Sequence, residues 1–177
     1  MVTHAKPPRL FSFPPEVELE SLRGAGLRGQ AEDELRAVLY AFAAIATAKR
    51  LTATVLQPVI DGCGSESDLV RGIALHRLVV LGHYFPEARE AIRGVCSTGR
   101  VDVRLQALTH IVSAPRNLAT KVVKSSLGDG DIRIRRQALK LVRGLASRRL
   151  EQELILRLEK EEDESLKSQI RSILAAR

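Results

Sequence analysis

The chain has 177 residues, of which 45% are hydrophobic, 28% are charged and only 3% are aromatic, with no tryptophan. This balance argues against wholesale disorder. The length fits a single domain, and the composition favours packed helices with a core of leucine, valine, isoleucine and alanine. No apolar run approaches the roughly 18 residues of a membrane span, and the first 15 residues lack the apolar core of a signal peptide, so the sequence predicts a cytoplasmic protein without a membrane segment.

Residues 1–15 predict an extended N-terminal segment rather than a helix. Four prolines lie between positions 7 and 15, where they remove backbone donors and disfavour helix in the residues before them. Two roles stay open for Phe11 and Phe13. Either they cover the end of the helices that follow, or they belong to a peptide that another protein grips.

Residues 16–177 predict a single domain of ten helices in five antiparallel pairs, with no strand. Prolines and glycines mark the breaks between helices. The first pair lacks the signature of the others and predicts a capping pair. The predicted pairs are 16–23 with 31–50, 52–62 with 67–83, 86–97 with 101–113, 115–127 with 131–147, and 150–161 with 163–176.

A short pattern recurs in the second helix of the last four pairs. The first three copies have an acidic residue, an apolar and basic run, and then alanine followed by leucine, and the last is a degenerate copy with Ile170 in place of the alanine. The copies begin at Asp68, Asp102, Asp131 and Asp163 and are centred on Ala74, Ala107, Ala138 and Ile170. The steps between these centres are 33, 31 and 32 residues. A fixed period in this range is typical of stacked helical repeats, so we expect an all-α solenoid with a period of about 32 residues.

Each copy also predicts one apolar stripe along its helix, because the apolar residues recur at spacings of three and four. The stripes are Val70, Ala74, Leu75 and Leu78; Val103, Ala107, Leu108 and Ile111; and Ile134, Ala138, Leu139 and Val142. The leading aspartate of each copy is expected to cap its helix by accepting from the free backbone N–H groups of the first turn.

The pattern D-x-x-V-R-x-x-A-L-x-x-L at this period resembles the short bacterial HEAT-like repeats, a class that includes bilin-lyase-type repeat proteins. The resemblance covers residues 52–176. It implies that aspartates and arginines pair along the stack as a ladder. In this chain the pairs would be Asp68 with Arg71, Asp102 with Arg104, and Asp131 with Arg133 or Arg135.

Two cysteines, Cys63 and Cys96, lie one repeat apart near the ends of successive first helices. Stacked helices are about 10 Å apart, which exceeds the roughly 7 Å between Cα atoms that a disulfide spans. We expect two buried, reduced thiols.

Positive charge is concentrated in the middle of the chain. Residues 91–149 contain 13 basic and 3 acidic residues, a net charge of +10, whereas residues 1–90 carry −1 and residues 150–177 carry −2. Such asymmetry favours an acidic partner.

The exposed positions of the second helices run from apolar, around Ile73 and Val80, through polar to basic. This mixture favours a protein partner on the face that they form. The predicted partner-binding residues are Arg136, Lys140, Arg143, Arg133, Gln137, Gln106, Thr109, His110 and His76.

The second helices offer little for catalysis. No acidic residue lies between Asp68 and Glu87 or between Asp102 and Asp129, so general acid–base chemistry lacks a carboxylate there. HEAT-like DNA glycosylases, which the chain resembles in repeat type and basic groove, depend on a groove carboxylate and aromatic side chains that do not occur here. His76, His83 and His110 are interpreted as solvated side chains rather than a metal site. We predict neither an enzyme nor a cofactor.

Two functions stay open. The first is a non-catalytic protein-interaction module, of adaptor, assembly-factor or inhibitor type, that binds an acidic segment of a partner. The alternative is a nucleic-acid-binding solenoid that contacts phosphates through the same basic face. The scarcity of aromatic residues disfavours stacking on single strands but leaves duplex backbone contacts open.

Overall fold

The computed structural model describes residues 9–145 and 147–176, and within these ranges the chain is all-helical, with no strand. The ten α-helices are α1 (Pro15–Leu22), α2 (Gln30–Ala48), α3 (Ala53–Cys63), α4 (Asp68–Gly82), α5 (Pro86–Thr98), α6 (Val101–His110), α7 (Arg116–Ser126), α8 (Ile132–Leu145), α9 (Arg148–Lys160) and α10 (Glu164–Ala175). Short 3-10 helices follow α1 and α6, at Arg23–Ala25 and Ile111–Ser113. All ten predicted helices are confirmed.

The helix starts follow local capping chemistry, although not always through the predicted aspartate. Asp163 accepts from the backbone N–H of Leu166 at 2.8 Å, and Asp131 accepts from that of Arg133 at 2.8 Å. The prediction is wrong for Asp68 and Asp102. Both lie inside the first turn of their helices, and α4 is capped instead by the hydroxyl of Ser67.

The helices form two compact units, one up to Val95 and one from Cys96 onward, with the division inside α5. In the first unit, α2 packs against α3, α3 against α4, and α2 against α4. The predicted inward residues of α2 are all buried, as is the α4 stripe. The buried residues are Leu35, Val38, Leu39, Phe42 and Ile45 of α2, and Val70, Ala74, Leu75 and Leu78 of α4.

In the second unit, α7 packs against α8, and α9 against α10. The second helices also contact one another in order, α6 with α8 and α8 with α10, and the first helices α7 and α9 do the same. The α6 and α8 stripes, centred on Ala107 and Ala138, are buried as predicted. Neighbouring helices thus pack in sequence order. A single continuous domain over residues 16–177 stays a prediction.

Helix α1 packs on α2, and its side chains reach α4. Leu19 and Leu22 rest on a buried cluster formed by Leu35 and Leu39 of α2 and Val70 of α4. Glu18 forms an ion pair with Arg77 of α4, whose guanidinium also lies 4.5 Å from the ring centroid of Phe42. The Tyr40 hydroxyl donates to the Glu16 carboxylate. Helix α1 therefore crosses the side of the unit where α2 and α4 meet.

The described part of the N-terminal segment leaves its two phenylalanines largely exposed. Residues 1–8 lie outside the described residues, and residues 9–14 have no regular secondary structure. Phe11 and Phe13 are 59% and 58% exposed and pack edge-to-face on each other, with ring centroids 5.2 Å apart. The predicted covering role is wrong for Phe11 and Phe13, because more than half of each side chain is exposed.

Both cysteines are free and buried, as predicted. The Cys63 thiol donates to the carbonyl of Val59 at 3.2 Å, and burial raises the pKa of the Cys96 thiol to about 12. Among the described helices, none is long and apolar enough to cross a membrane.

Close packing at Gly62 yields the first testable prediction. A Cβ built at Gly62 would lie 2.4 Å from Cγ2 of Val38 and 3.0 Å from Cβ of Ala74. Gly62→Ala should therefore lower the free energy of unfolding by about 1–3 kcal/mol, despite the better helix propensity of alanine. Chemical denaturation measures the change.

The matched control is Gly94→Ala in α5, where a Cβ meets nothing within 4 Å. It should raise the free energy of unfolding by about 0.5–1 kcal/mol, because alanine reduces the conformational entropy of the unfolded chain and has the better helix propensity. Equal effects of the two substitutions would show that α3 does not approach α2 and α4 as closely as described.

Candidate partner-binding surface

Helix α8 carries a row of three exposed or partly exposed cations, Arg136, Lys140 and Arg143, here called the basic row. Spacings of four and three place them on one face, opposite the buried stripe of Ile134 and Ala138. None of the three side chains forms a hydrogen bond or ion pair with another described residue. The basic row thus presents three uncompensated charges on a short length of helix.

Arg133 and Gln137 extend this face but differ from the basic row. The Arg133 side chain is 62% exposed, yet its guanidinium pairs with the Asp131 carboxylate at 2.8 Å. Hydrogen bonds from the Arg133 side chain and backbone lower the pKa of Asp131 to about 2, and the same pair raises the pKa of Arg133. Arg133 therefore anchors the start of α8, while Gln137 is only partly exposed.

Two neighbouring arginines of the second helices, Arg104 and Arg135, form contacts within the chain that stabilise its turns. Arg104 donates to the carbonyl of Gly99 at 2.6 Å and pairs with Asp129 at 2.9 Å. Arg135 donates to the carbonyl of Asp129 at 3.0 Å and holds both carboxylate oxygens of Glu161, at 2.9 and 2.8 Å. Each arginine thus ties the turn before its own helix to the turn before the next second helix.

These contacts correct the predicted ladder. The pairing of Asp68 with Arg71 is confirmed, and so is that of Asp131 with Arg133. The pairing of Asp102 with Arg104 is wrong, because Arg104 binds Asp129, 25 residues later. Arg71 and Arg133 thus pair within their own copies, whereas Arg104 and Arg135 bind carboxylates in the turn of the following helix pair.

The turn carboxylates are also bound to backbone. Asp129 accepts from the N–H of Asp131 at 2.9 Å, and Glu161 accepts from the N–H of Asp163 at 3.1 Å. The hydrogen bonds from Arg135 lower the pKa of Glu161, and the backbone N–H groups of Asp163 and Glu162 add to this effect, whereas burial opposes it. The Glu161 carboxylate is therefore charged at neutral pH and holds Arg135 in place.

Helix α6 contributes polar and apolar groups to the candidate surface. Of its predicted site residues, Gln106 and His110 are partly exposed and Thr109 is exposed, with its hydroxyl donating to the Gln106 carbonyl at 2.6 Å. Val112, in the 3-10 turn after α6, is 55% exposed, and Leu105 is partly exposed. Neither apolar residue is among the predicted partner-binding residues, although a helical spacing of seven favours one side for the two.

His76, the remaining predicted site residue, belongs to the first unit. It lines a groove of about 400 Å³ between α1 and α4, together with Leu22, Leu69 and Ile73. Partial burial is the main cause that lowers the pKa of His76, and the charge of Arg77 adds to it. Val80 was expected on this surface but is buried in the core, since α4 is enclosed on most sides.

Within residues 9–145 and 147–176, no group of three His, Cys, Asp or Glu side chains is placed to hold a metal ion. The absence of an enzymatic activity stays a prediction.

Comparison with known proteins does not test the resemblance to HEAT-like repeats, which stays a prediction. No protein-family model matches the chain, and no curated protein matches it significantly.

The structural role of Arg135 gives the second prediction. The Glu161 side chain is only 5% exposed, so Arg135→Ala leaves a buried carboxylate without its cation. We expect a loss of about 2–3 kcal/mol in unfolding free energy. The control Arg133→Ala removes an exposed arginine and should change stability by at most about 0.5 kcal/mol.

The pH dependence of that loss has a definite sign. Because the pKa of Glu161 is lowered in the folded chain, its contribution is present above the unfolded pKa of about 4.3 and disappears as pH falls through the folded value. The stability difference between wild type and Arg135→Ala should therefore shrink below about pH 4. A difference that grows on acidification, measured by denaturation at several pH values, would contradict the pairing.

Proposed function

We propose that the chain is a non-catalytic, HEAT-like protein-interaction module whose basic row holds an acidic segment of a partner protein. One observation carries the proposal. On α8, the Arg135 guanidinium binds the Glu161 carboxylate. The side chains of Arg136, Lys140 and Arg143 have no partner among the described residues. Charges without an intramolecular role are available to a partner.

The recurring contacts of the second unit support the stacked-repeat part of the proposal. Arg104 reaches Asp129 and Arg135 reaches Glu161, at sequence separations of 25 and 26 residues. The stepwise contacts of α6, α8 and α10 accompany them. Equivalent arginines that bind equivalent turns are expected of a repeat with a period of about 32 residues.

Magnitudes indicate what the basic row would contribute to binding. An exposed ion pair stabilises by about 0.2–1 kcal/mol, so three pairs contribute roughly 1–3 kcal/mol. That is too little for a tight complex. The row would chiefly accelerate association and select an acidic partner, while apolar contacts supply the remaining affinity.

The neighbouring residues favour a protein over a nucleic acid. Val112 and Leu105 of the α6 segment offer apolar surface beside α8, which a phosphate backbone does not use. Nucleic acid remains the alternative for the same cations, and it predicts a steep salt dependence on duplex DNA.

The test compares two charge reversals of equal size. Arg136→Glu with Lys140→Glu reverses the basic row, and Lys121→Glu with Arg149→Glu reverses exposed cations on α7 and α9 that also lack described partners. Both variants should keep their helicity, since surface substitutions usually change stability by at most about 0.5 kcal/mol.

Binding is measured with a labelled oligoglutamate peptide and with duplex and single-stranded DNA and RNA, each at low and high salt. The first variant should bind the peptide about tenfold more weakly at low salt, with the difference shrinking at high salt, and the second should bind nearly as wild type. Equal weakening by the two variants would show a general charge effect and refute the basic row as the site. Preference for duplex DNA over the peptide would favour the alternative.

A further inference from the structure

We infer that the face shared by α6 and α8 docks an acidic amphipathic helix of a partner protein, in the manner in which α2 and α4 hold the chain's own α1. The inference rests on the proposed function, because it uses the basic row. It specifies the partner as a helix with one acidic side and one apolar side.

Helix α1 is the internal example of such a ligand. Its sequence, Pro-Glu-Val-Glu-Leu-Glu-Ser-Leu, carries three glutamates and two leucines in eight residues. Glu18 pairs with Arg77, and Leu19 and Leu22 pack on the cluster of Leu35 and Leu39. No residue of α1 is fully buried. The helix is thus held by partial apolar contact and charge pairing, as a separate helix is held in a groove.

The part of α4 beside α1 has a counterpart in α8. Aligning Ala74 with Ala138 pairs the α4 residues Leu69, Gly72, Ile73, His76 and Arg77 with the α8 residues Arg133, Arg136, Gln137, Lys140 and Leu141. The first five line the groove between α1 and α4. Equal spacing on an α-helix puts the second five on the matching face of α8. The preceding second helix borders both faces, α2 beside α4 and α6 beside α8.

The two faces differ in charge and exposure. On α4, Arg77 pairs with Glu18 of α1. On α8, the matching face carries Arg136 and Lys140, which lack partners among the described residues. Leu141 of α8 and Leu105 of α6 are partly exposed, and Val112, in the turn after α6, is 55% exposed.

This combination selects the class of partner. Cations spaced three and four residues apart match carboxylates repeated along one helix side. The apolar residues of α6 match leucine-like side chains on the adjacent side of the same helix. An extended polyanion would use only the cations and leave Leu105 and Val112 in water, so the face fits an amphipathic acidic helix better.

The probe is a synthetic peptide with the sequence of residues 14–24, fluorescently labelled and titrated against the full chain by anisotropy. A hydrocarbon staple replaces the side chains of Val17 and Ser21, which are exposed and one turn apart, because so short a helix does not form alone. One control peptide has glutamine at the three glutamates, Glu16, Glu18 and Glu20. The other has serine at the two leucines, Leu19 and Leu22.

The parent peptide should bind most tightly, and each control about tenfold more weakly. Only the glutamine control should lose the salt dependence. In the chain, Val112→Ser should weaken the parent peptide about fivefold by removing apolar contact. Its matched control is Ile155→Ser on α9, which removes a side chain of similar exposure, 51%, and should leave affinity unchanged.

The outcomes separate the two proposals. If the serine peptide binds as tightly as the parent while Arg136→Glu with Lys140→Glu weakens both, the proposed function stands and the helix inference is overturned. If that double reversal leaves the parent peptide unaffected but still weakens oligoglutamate, the helix inference is overturned and the proposed function stands; if it affects neither ligand, both proposals fail. Weakening by both the double reversal and Val112→Ser, but not by Ile155→Ser, supports both.

Discussion

A largely buried carboxylate at a helix turn needs a cation beside it, and in the second unit Arg135 and Arg104 supply those cations. An uncompensated charge in such a place costs several kcal/mol. Arg135 meets the requirement with both oxygens of Glu161 and two backbone carbonyls. Arg104 does so with Asp129 and a carbonyl. Because donor and acceptor belong to successive helix pairs, satisfying the charge also joins one pair to the next.

The same requirement divides the cations of α8 into two kinds. Arg135 and Arg136 are adjacent in sequence, but about 100° of helical rotation separates their side chains, so one enters a turn and the other faces outward. The net charge of residues 91–149 therefore overstates the positive charge that is available to bind a partner. The side chains of the basic row pair with no residue among 9–145 and 147–176, and the proposed function concerns this row alone.

The helices and their buried stripes were predictable because apolar spacing is a local property. The residues around Ala74, Ala107 and Ala138 lie where the 3.6-residue period places them. The partner of Arg104 was not predictable from that period. A nearby aspartate, Asp102, competes with the correct Asp129, and only the folded turn decides between them.

The candidate site was predictable in part for the same reason. Helical spacing grouped Arg136, Lys140 and Arg143 correctly, since all three share one helix face. It placed Val80 on the surface, although the packing around α4 buries that residue. It also missed the groove between α1 and α4, because the position of a short helix with no fully buried residue depends on a few long-range contacts such as Glu18 with Arg77.

The division between structural and available arginines is the central claim, and side-chain reactivity tests it most directly. Arginine modification by a dicarbonyl reagent, followed residue by residue by mass spectrometry on the native chain, compares the two kinds in one sample. The account predicts fast modification of Arg136 and Arg143 and slow modification of Arg104 and Arg135, whose guanidinium groups are held by carboxylates and carbonyls. Equal rates at all four arginines, in a chain that remains folded, would contradict it.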